Sequence, residues 1–422
     1  MSREIEVWAD WRELDGASCM GILRASEARG KEVFAFEYDR DWLKGESFRD
    51  LDPDLQLYEG PQYLDAEERP NFGVFLDSSP DRWGRLLMKR REAVSARSEE
   101  RTERRLQEID FLLGVHDEQR VGGLRFRDSV AGTEWQCNDP TMVTPPWTSL
   151  RELENASWQL QKDDVEQDPE YRQWLNLLMA PGSSLGGARP KAGVRDERGE
   201  LWIAKFPGRN DERDMGAWEM VAHELAKQAG LDVAEARIEH FGGRQHTYLV
   251  RRFDRTDGTQ GKERIHFASA MTLLGYSDGA DHTEGASYLG LVELLIQQGA
   301  EPDRDLHELW RRIVFSIAIR NTDDHLRNHG FLLTPGGWRL SPAFDLNSDP
   351  DGHGLNLNIT ETDNSLDFAV ALEVAEYFRL DLREANRILH EVKRVAGGWR
   401  DAAKDLGIGR SEQESMEPAF QW

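Results

Sequence analysis

Asp323 and Asn328 stand five positions apart in Asn321-Thr322-Asp323-Asp324-His325-Leu326-Arg327-Asn328. At that spacing an aspartate can take the proton of an attacking hydroxyl while the amide oxygen holds a magnesium ion, as in a phosphoryl-transfer catalytic loop. A further carboxylate, Asp345, ends Ser341-Pro342-Ala343-Phe344-Asp345, 17 residues after Asn328. It follows a short strand, where such a site needs its main metal ligand. Between the two, Gly330-Phe331-Leu332-Leu333 and Gly337-Trp338-Arg339-Leu340 read as a hairpin around Thr334-Pro335-Gly336-Gly337. An isolated Asp-rich loop is more often a set of helix caps and turn contacts. The chemical reading therefore needs support from elsewhere in the chain.

Lys205 gives part of that support. It ends the apolar run Leu201-Trp202-Ile203-Ala204, a strand in which Ile203-Ala204-Lys205 resembles the Val-Ala-Ile-Lys pattern that sets a lysine on nucleotide phosphates. Alone, such a lysine is more often an edge-strand residue reaching for water. Glu219, 14 residues on, lies in a helix expected over Gly216–Ala229 and is placed to pair with Lys205; Glu224 competes for that role. Upstream, Ser183-Ser184-Leu185-Gly186-Gly187-Ala188-Arg189-Pro190-Lys191 carries Gly186 and Gly187, which let backbone N–H groups turn toward phosphate. A Gly-Gly pair is usually just a turn; its place before the Lys205 strand raises it. Ser183 and Ser184 would lie near a terminal phosphate, open to self-modification. His325 reads as a group that orients the loop rather than a ligand or base. A metallohydrolase on Asp323, Asp324 and His325 ranks low, because three adjacent residues rarely all face one ion.

The elements that must position these residues are legible in outline. At 422 residues the chain is long enough for two or three domains. Residues 1–75 look β-rich, with Phe34, Phe36 and Tyr38 on one strand face. Ser79 and Pro80 open a helix with Trp83, Leu86 and Leu87 inward. Leu306, Leu309, Trp310, Ile313 and Ile317 form an apolar stripe leading into Asn321. Net charge is -25, with a pI near 4.9, which argues against direct nucleic-acid binding as a main role. The basic stretch 82–105 reads as a solvated helix face laced with ion pairs. Two cysteines, Cys19 and Cys137, give no disulfide framework. No apolar run suits a membrane span or signal peptide, so a cytoplasmic protein is expected.

With these motifs in order, the chain resembles the HipA-type serine/threonine kinases, toxins of bacterial HipBA toxin–antitoxin pairs. Asp323 to Asn328 resembles the family's Asp-x-His-x-x-Asn loop, and Leu340 to Asp345 its Leu-(Ser/Thr)-Pro-x-Tyr-Asp segment. Val250 to Arg255 is similar to its Glu-Arg-Phe-Asp-Arg strand end, Arg251 standing where the family often has Glu. Residues 183–191 look like its phosphate loop, and Asp110 to Gly114 and Gly122 to Phe126 like its amino-terminal part. The resemblance implies a two-lobed α+β protein-kinase-like fold with a β-rich N-terminal subdomain and a mainly helical C-terminal lobe. Its parts would be 1–130, a kinase N-lobe over 147–255 and a helical lobe over 256–422. It implies ATP and Mg2+ as cofactors. Asp323 would be the base, and Asn328 and Asp345 the metal ligands. Lys205 would contact phosphates, with Arg252 and Phe253 at the adenine. Ser184, or Ser183 beside it, would be autophosphorylated. It also implies a HipB-like helix-turn-helix antitoxin, DNA contact only through that partner, and a translation-related protein target such as an aminoacyl-tRNA synthetase. A small-molecule kinase and a non-catalytic antitoxin-binding co-repressor are the competing readings.

Overall fold

The computed structural model describes residues 2–45, 50–64, 69–128, 134–138, 144–179, 189–243, 245–258 and 261–422. The chain divides into two compact units. Met1–Arg209 with Asp254–Ala268 forms the first, and Asn210–Phe253 with Ser269–Trp422 the second.

The first unit begins with a five-stranded antiparallel sheet. Its order is Gln62–Tyr63, Lys31–Tyr38, Ser18–Ala28, Arg3–Ala9, Leu124–Asp128. Alternation works as expected: Phe34, Phe36 and Tyr38 are all buried. Phe36 meets Phe75 at 5.7 Å, and Phe75 meets Phe126 at 6.1 Å, so a chain of aromatic rings runs through the core. The Arg82–Ser98 helix follows. Its cap is Asp81 rather than Ser79. Asp81 Oδ1 accepts from Gly84 N at 2.7 Å, whereas Ser79 Oγ donates back to Phe75 O. Trp83 and Leu87, four residues apart, share the buried face; Leu86, about 100° round the helix, is 39% exposed. The basic stretch is indeed laced with pairs. Arg85 forks onto Glu108 at 2.7 Å, and a hydrogen bond from Arg101 pulls the Glu92 carboxyl down to about 2.

Lys191–Arg195 and Leu201–Lys205 form an antiparallel hairpin with Lys191 directly opposite Lys205. Opposed like charges destabilise a ladder. Here Lys191 is buried and paired at 3.0 Å with the equally buried Asp81, which balances one of the two.

The second unit carries the Met215–Gln228 helix, capped by Asp214, which accepts from Ala217 N at 3.1 Å. Its second residue must be small: a Cβ on Gly216 would lie 2.2 Å from His246 O. Ala236–Glu239 pairs antiparallel with Thr247–Arg251. The Pro302–Ile319 helix buries Leu306, Leu309, Trp310, Ile313 and Ile317, the stripe expected from the 3.6-residue period. Trp310 donates to Ala371 O at 2.9 Å. Gly330–Thr334 and Gly337–Leu340 form the expected hairpin. Gly337 turns at φ 131°, and a Cβ there would lie 2.4 Å from Gln298 O. Near the C-terminus, Trp399 stacks on Phe420 at 4.6 Å and meets Trp218 at 6.0 Å. No helix among the described residues is long and apolar enough to cross a membrane.

Candidate active site

The Pro302–Ile319 helix delivers the Asp323 loop. Pro302 in its first turn, with Asp303 and Asp305 beside it, favours the start. Arg320, left-handed at φ 51°, ends it, and Asn321 N donates to Ser316 O at 2.8 Å. The chain after Asp345 then clasps the loop. Asp349 N donates to Arg320 O at 3.0 Å. Thr322 Oγ1 donates to Asp349 Oδ2 at 3.2 Å, and Asn347 N donates to Asn321 Oδ1 at 3.3 Å. Residues separated by a whole hairpin are thereby tied side by side. The hairpin itself is anchored where Asp305 takes both Arg339 Nε, at 2.7 Å, and Leu340 N, at 3.1 Å.

Within the loop Asp323 is exposed and Asn328 buried. Asn328 Nδ2 donates to Asp323 O at 2.8 Å. With its nitrogen so engaged, the amide leaves Oδ1 as the atom that could meet a cation. Asp345 stands in the left-handed region at φ 58°. Asn347 Nδ2 donates to its carbonyl at 3.3 Å and to its Oδ1 at 3.2 Å, holding it there. Such a conformation costs energy in a non-glycine residue and is found where the surroundings over-determine it. One amide oxygen and one carboxylate, both hard donors, fit magnesium, which keeps water and substrate phosphates for its other positions. Among the described residues no three His, Cys, Asp or Glu side chains group as a metal cage; a magnesium site of this open kind does not need one.

Behind the loop lies a buried network that sequence reading missed. Asp324 accepts from Tyr288 Oη at 2.5 Å and Ser316 Oγ at 3.2 Å, and its other oxygen lies 3.1 Å from His329 Nε2. Burial alone would raise this carboxyl, but His329 and the two hydroxyls outweigh it and hold it below the ordinary carboxylate range. Burial, and then Asp324, push the Tyr288 phenol well up, so it remains a donor. His329 also returns a backbone bond, its carbonyl accepting from Ala270 N at 2.8 Å. Asp324 thus works from the protein interior while its neighbour Asp323 faces solvent.

Glu219 lies buried in the Met215–Gln228 helix. Burial first, then Glu219 and Asp345, raise the Tyr248 phenol, so both carboxylates lie within electrostatic reach of one strand residue. Arg252 is buried, and Phe253 meets Phe344, the residue before Asp345, at 5.6 Å. Asp323, Asn328, Asp345, Glu219, Arg252 and Phe253 all belong to the second unit, and Lys205 to the first. Ser183, Ser184, Gly186 and Gly187 lie outside the described residues. Tyr288 and Asn347 give no recognisable signal, and Asp324 reads only as a weak metal-ligand candidate, because its role depends on contacts with Tyr288, Ser316 and His329 that only the fold assembles.

An α+β fold with an Asp, Asn and Asp set at the end of a buried helix defines the class. The HipA-like C-terminal domain profile matches residues 183–399, just over half of the chain, and the chain belongs to that family. Over 143 residues it is 31% identical to the serine/threonine-protein kinase toxin HipA of Shewanella oneidensis, covering 30% of this chain and 33% of that protein. Over 179 residues it is 26% identical to a putative kinase of Haemophilus influenzae, covering 39% of this chain and 52% of the relative. The matches thus span a third to about half of those relatives' length. In overall fold it is similar to a chain of the solved Shewanella oneidensis MR-1 complex of HipA, HipB and operator DNA. The TM-score is 0.67 with 20% identity, over 99% of this chain and 95% of the other.

Proposed function

We propose that this protein is an ATP- and magnesium-dependent protein serine/threonine kinase, acting as the toxin of a toxin–antitoxin pair. The observation that carries this reading is the clasp between the Asp323 loop and the Asp345 segment, which ties a solvent-facing carboxylate to two hard-oxygen metal ligands.

In this reading residues 147–255 carry the nucleotide-binding part and 256–422 the catalytic part. Asp323 accepts the proton of the attacking serine or threonine hydroxyl. Asn328 and Asp345 hold magnesium, which when bound neutralises charge on the transferring phosphoryl group. Lys205 contacts the ATP phosphates, while Arg252 and Phe253 line the adenine site. Gly186 and Gly187 turn backbone N–H groups toward phosphate. Positioning and charge neutralisation account for most of such catalysis. Ser184, or Ser183, takes a phosphoryl group from the same site, and its modification switches the kinase off.

The partner in this proposal is a HipB-like helix-turn-helix antitoxin. The Shewanella fold relative is solved with HipB and operator DNA. A chain of net charge -25 repels DNA over most of its surface, so the antitoxin supplies the basic contact. The target is a translation-related protein such as an aminoacyl-tRNA synthetase.

Mass spectrometry of the purified chain tests self-modification directly: phosphate is expected on Ser183 or Ser184 and absent from Asp323→Asn. Calorimetric titration with ATP and magnesium separates a kinase from a co-repressor, since wild type binds and Asp345→Ala loses the magnesium dependence. No binding to wild type would refute the kinase reading. Labelling of small metabolites with no labelled protein would favour the small-molecule alternative.

A further inference from the structure

The first unit contains a cleft of about 820 Å³, a volume that suits a nucleotide-sized ligand. Seven arginines and lysines line it against five carboxylates. The whole chain has 53 basic and 78 acidic residues, so the cleft reverses the balance of the surface around it. In a strongly acidic protein an anion is repelled elsewhere and attracted to such a place.

The cations of the cleft divide into two sets. Arg125 and Arg264 reach the buried Asp117 at 2.5 and 3.1 Å. Arg255 pairs with Asp254 at 2.7 Å, and Lys262 with Asp257 at 2.6 Å and with Glu200. The Arg264–Asp117 pair holds the Arg255–Gly258 and Gly261–Arg264 hairpin against the Asp117 turn, and the charge of all these pairs is spent internally. The outer set is different. Among the described residues, Arg198 is exposed and has no ion pair within 4.0 Å, Asp196 lying in its electrostatic reach, and Arg12 pairs with its own neighbour Glu13. Arg195 is bonded to Glu118, yet its Nε is buried without an acceptor. Guanidinium groups offer the planar donor fork that binds phosphate bidentately. Trp11, the aromatic residue of the wall, is only 3% exposed and stacks on His266 at 4.9 Å, so little ring face remains for a nucleobase.

We propose that this cleft is a second, non-catalytic binding site for a small polyphosphate anion, held by Arg12, Arg195 and Arg198. The phosphates are recognised, whatever group they are attached to. The site lies wholly within the first unit and is independent of the magnesium ligands of the second.

Calorimetric titration of the full chain with tripolyphosphate and with ATP, both in EDTA at low salt, tests this. The two ligands should bind with affinities within about threefold, and Arg12→Glu with Arg198→Glu should weaken both by about tenfold or more. Arg198→Ala, at an exposed position, should weaken both by about threefold with an unchanged circular dichroism spectrum. Asp345→Ala should leave both affinities unchanged. Failure of tripolyphosphate to bind wild type, equal binding by the charge-reversed variant, or loss in Asp345→Ala would overturn the proposal. The last outcome would assign binding to the metal site. Loss of kinase activity in Asp323→Asn bears on the other proposal and leaves this one standing.

Discussion

Tyr288→Phe removes one oxygen from the network behind the Asp323 loop and leaves the ring edge against His329, at 5.6 Å, in place. The lost bond is a hydroxyl donating at 2.5 Å to a buried carboxylate. Hydrogen bonds to charged groups contribute about 1.5–3 kcal/mol, and the packing is conserved, so a loss of about 2 kcal/mol is expected. Asp324→Asn should cost more, about 3 kcal/mol or above, because His329 then faces an amide in a buried site. The pH dependence separates the two causes. Asp324 has a depressed carboxyl in the folded state, so its contribution is fully present above the unfolded value of about 4. It is lost as pH falls through the lower folded value. The gap between wild type and Asp324→Asn should therefore narrow as pH falls below about 4. Both variants should also lower kcat by about tenfold or more, since small displacements of a positioned base are costly. Urea midpoints across pH, with kcat and KM for ATP, form the assay. A Tyr288→Phe protein within about 0.5 kcal/mol of wild type, with unchanged kcat, would refute the idea that this network sets the loop.

Three further outcomes follow from the same structure. Asp345→Gly should relieve the left-handed backbone and stabilise the chain by about 1 kcal/mol while abolishing phosphoryl transfer, read by thermal unfolding and by labelling. Gly216→Ala should cost about 1–3 kcal/mol, because the new methyl would press on His246 O; thermal unfolding checks it. Lys191→Met should destabilise by about 3–5 kcal/mol by taking the Lys191 ammonium from the buried Asp81 carboxylate. Adding Asp81→Asn should recover part of that loss, as a double-mutant cycle would show.

Local chemistry was readable where neighbours in sequence decide the outcome. Pro335, Gly336 and Gly337 mark the hairpin turn by residue type alone, and the apolar period leading to Asn321 marks the helix that carries the loop. The turn-forming reading of the loop also holds in part, since Asn328 does donate to the Asp323 carbonyl. The cap at Ser79 and the inward Leu86 were misplaced for ordinary reasons. Two cap residues stood two positions apart, and one apolar residue too many was given to a narrow face. The Asp324 network was out of reach because its partners lie 36, 8 and 5 residues away and meet only in the fold. The same holds for Lys191, whose counterion Asp81 comes from a helix start more than a hundred residues earlier. Tyr248 reads as an ordinary strand residue until Glu219 and Asp345 are found near it.

The central claim is that Asp323 is the base of a phosphoryl-transfer site whose metal is held by Asn328 and Asp345. Incubation with γ-labelled ATP and magnesium tests it most directly, comparing wild type with Asp323→Asn. The account predicts label on serine or threonine in wild type, and none in Asp323→Asn with its thermal unfolding unchanged. Full labelling of a folded Asp323→Asn protein would contradict it.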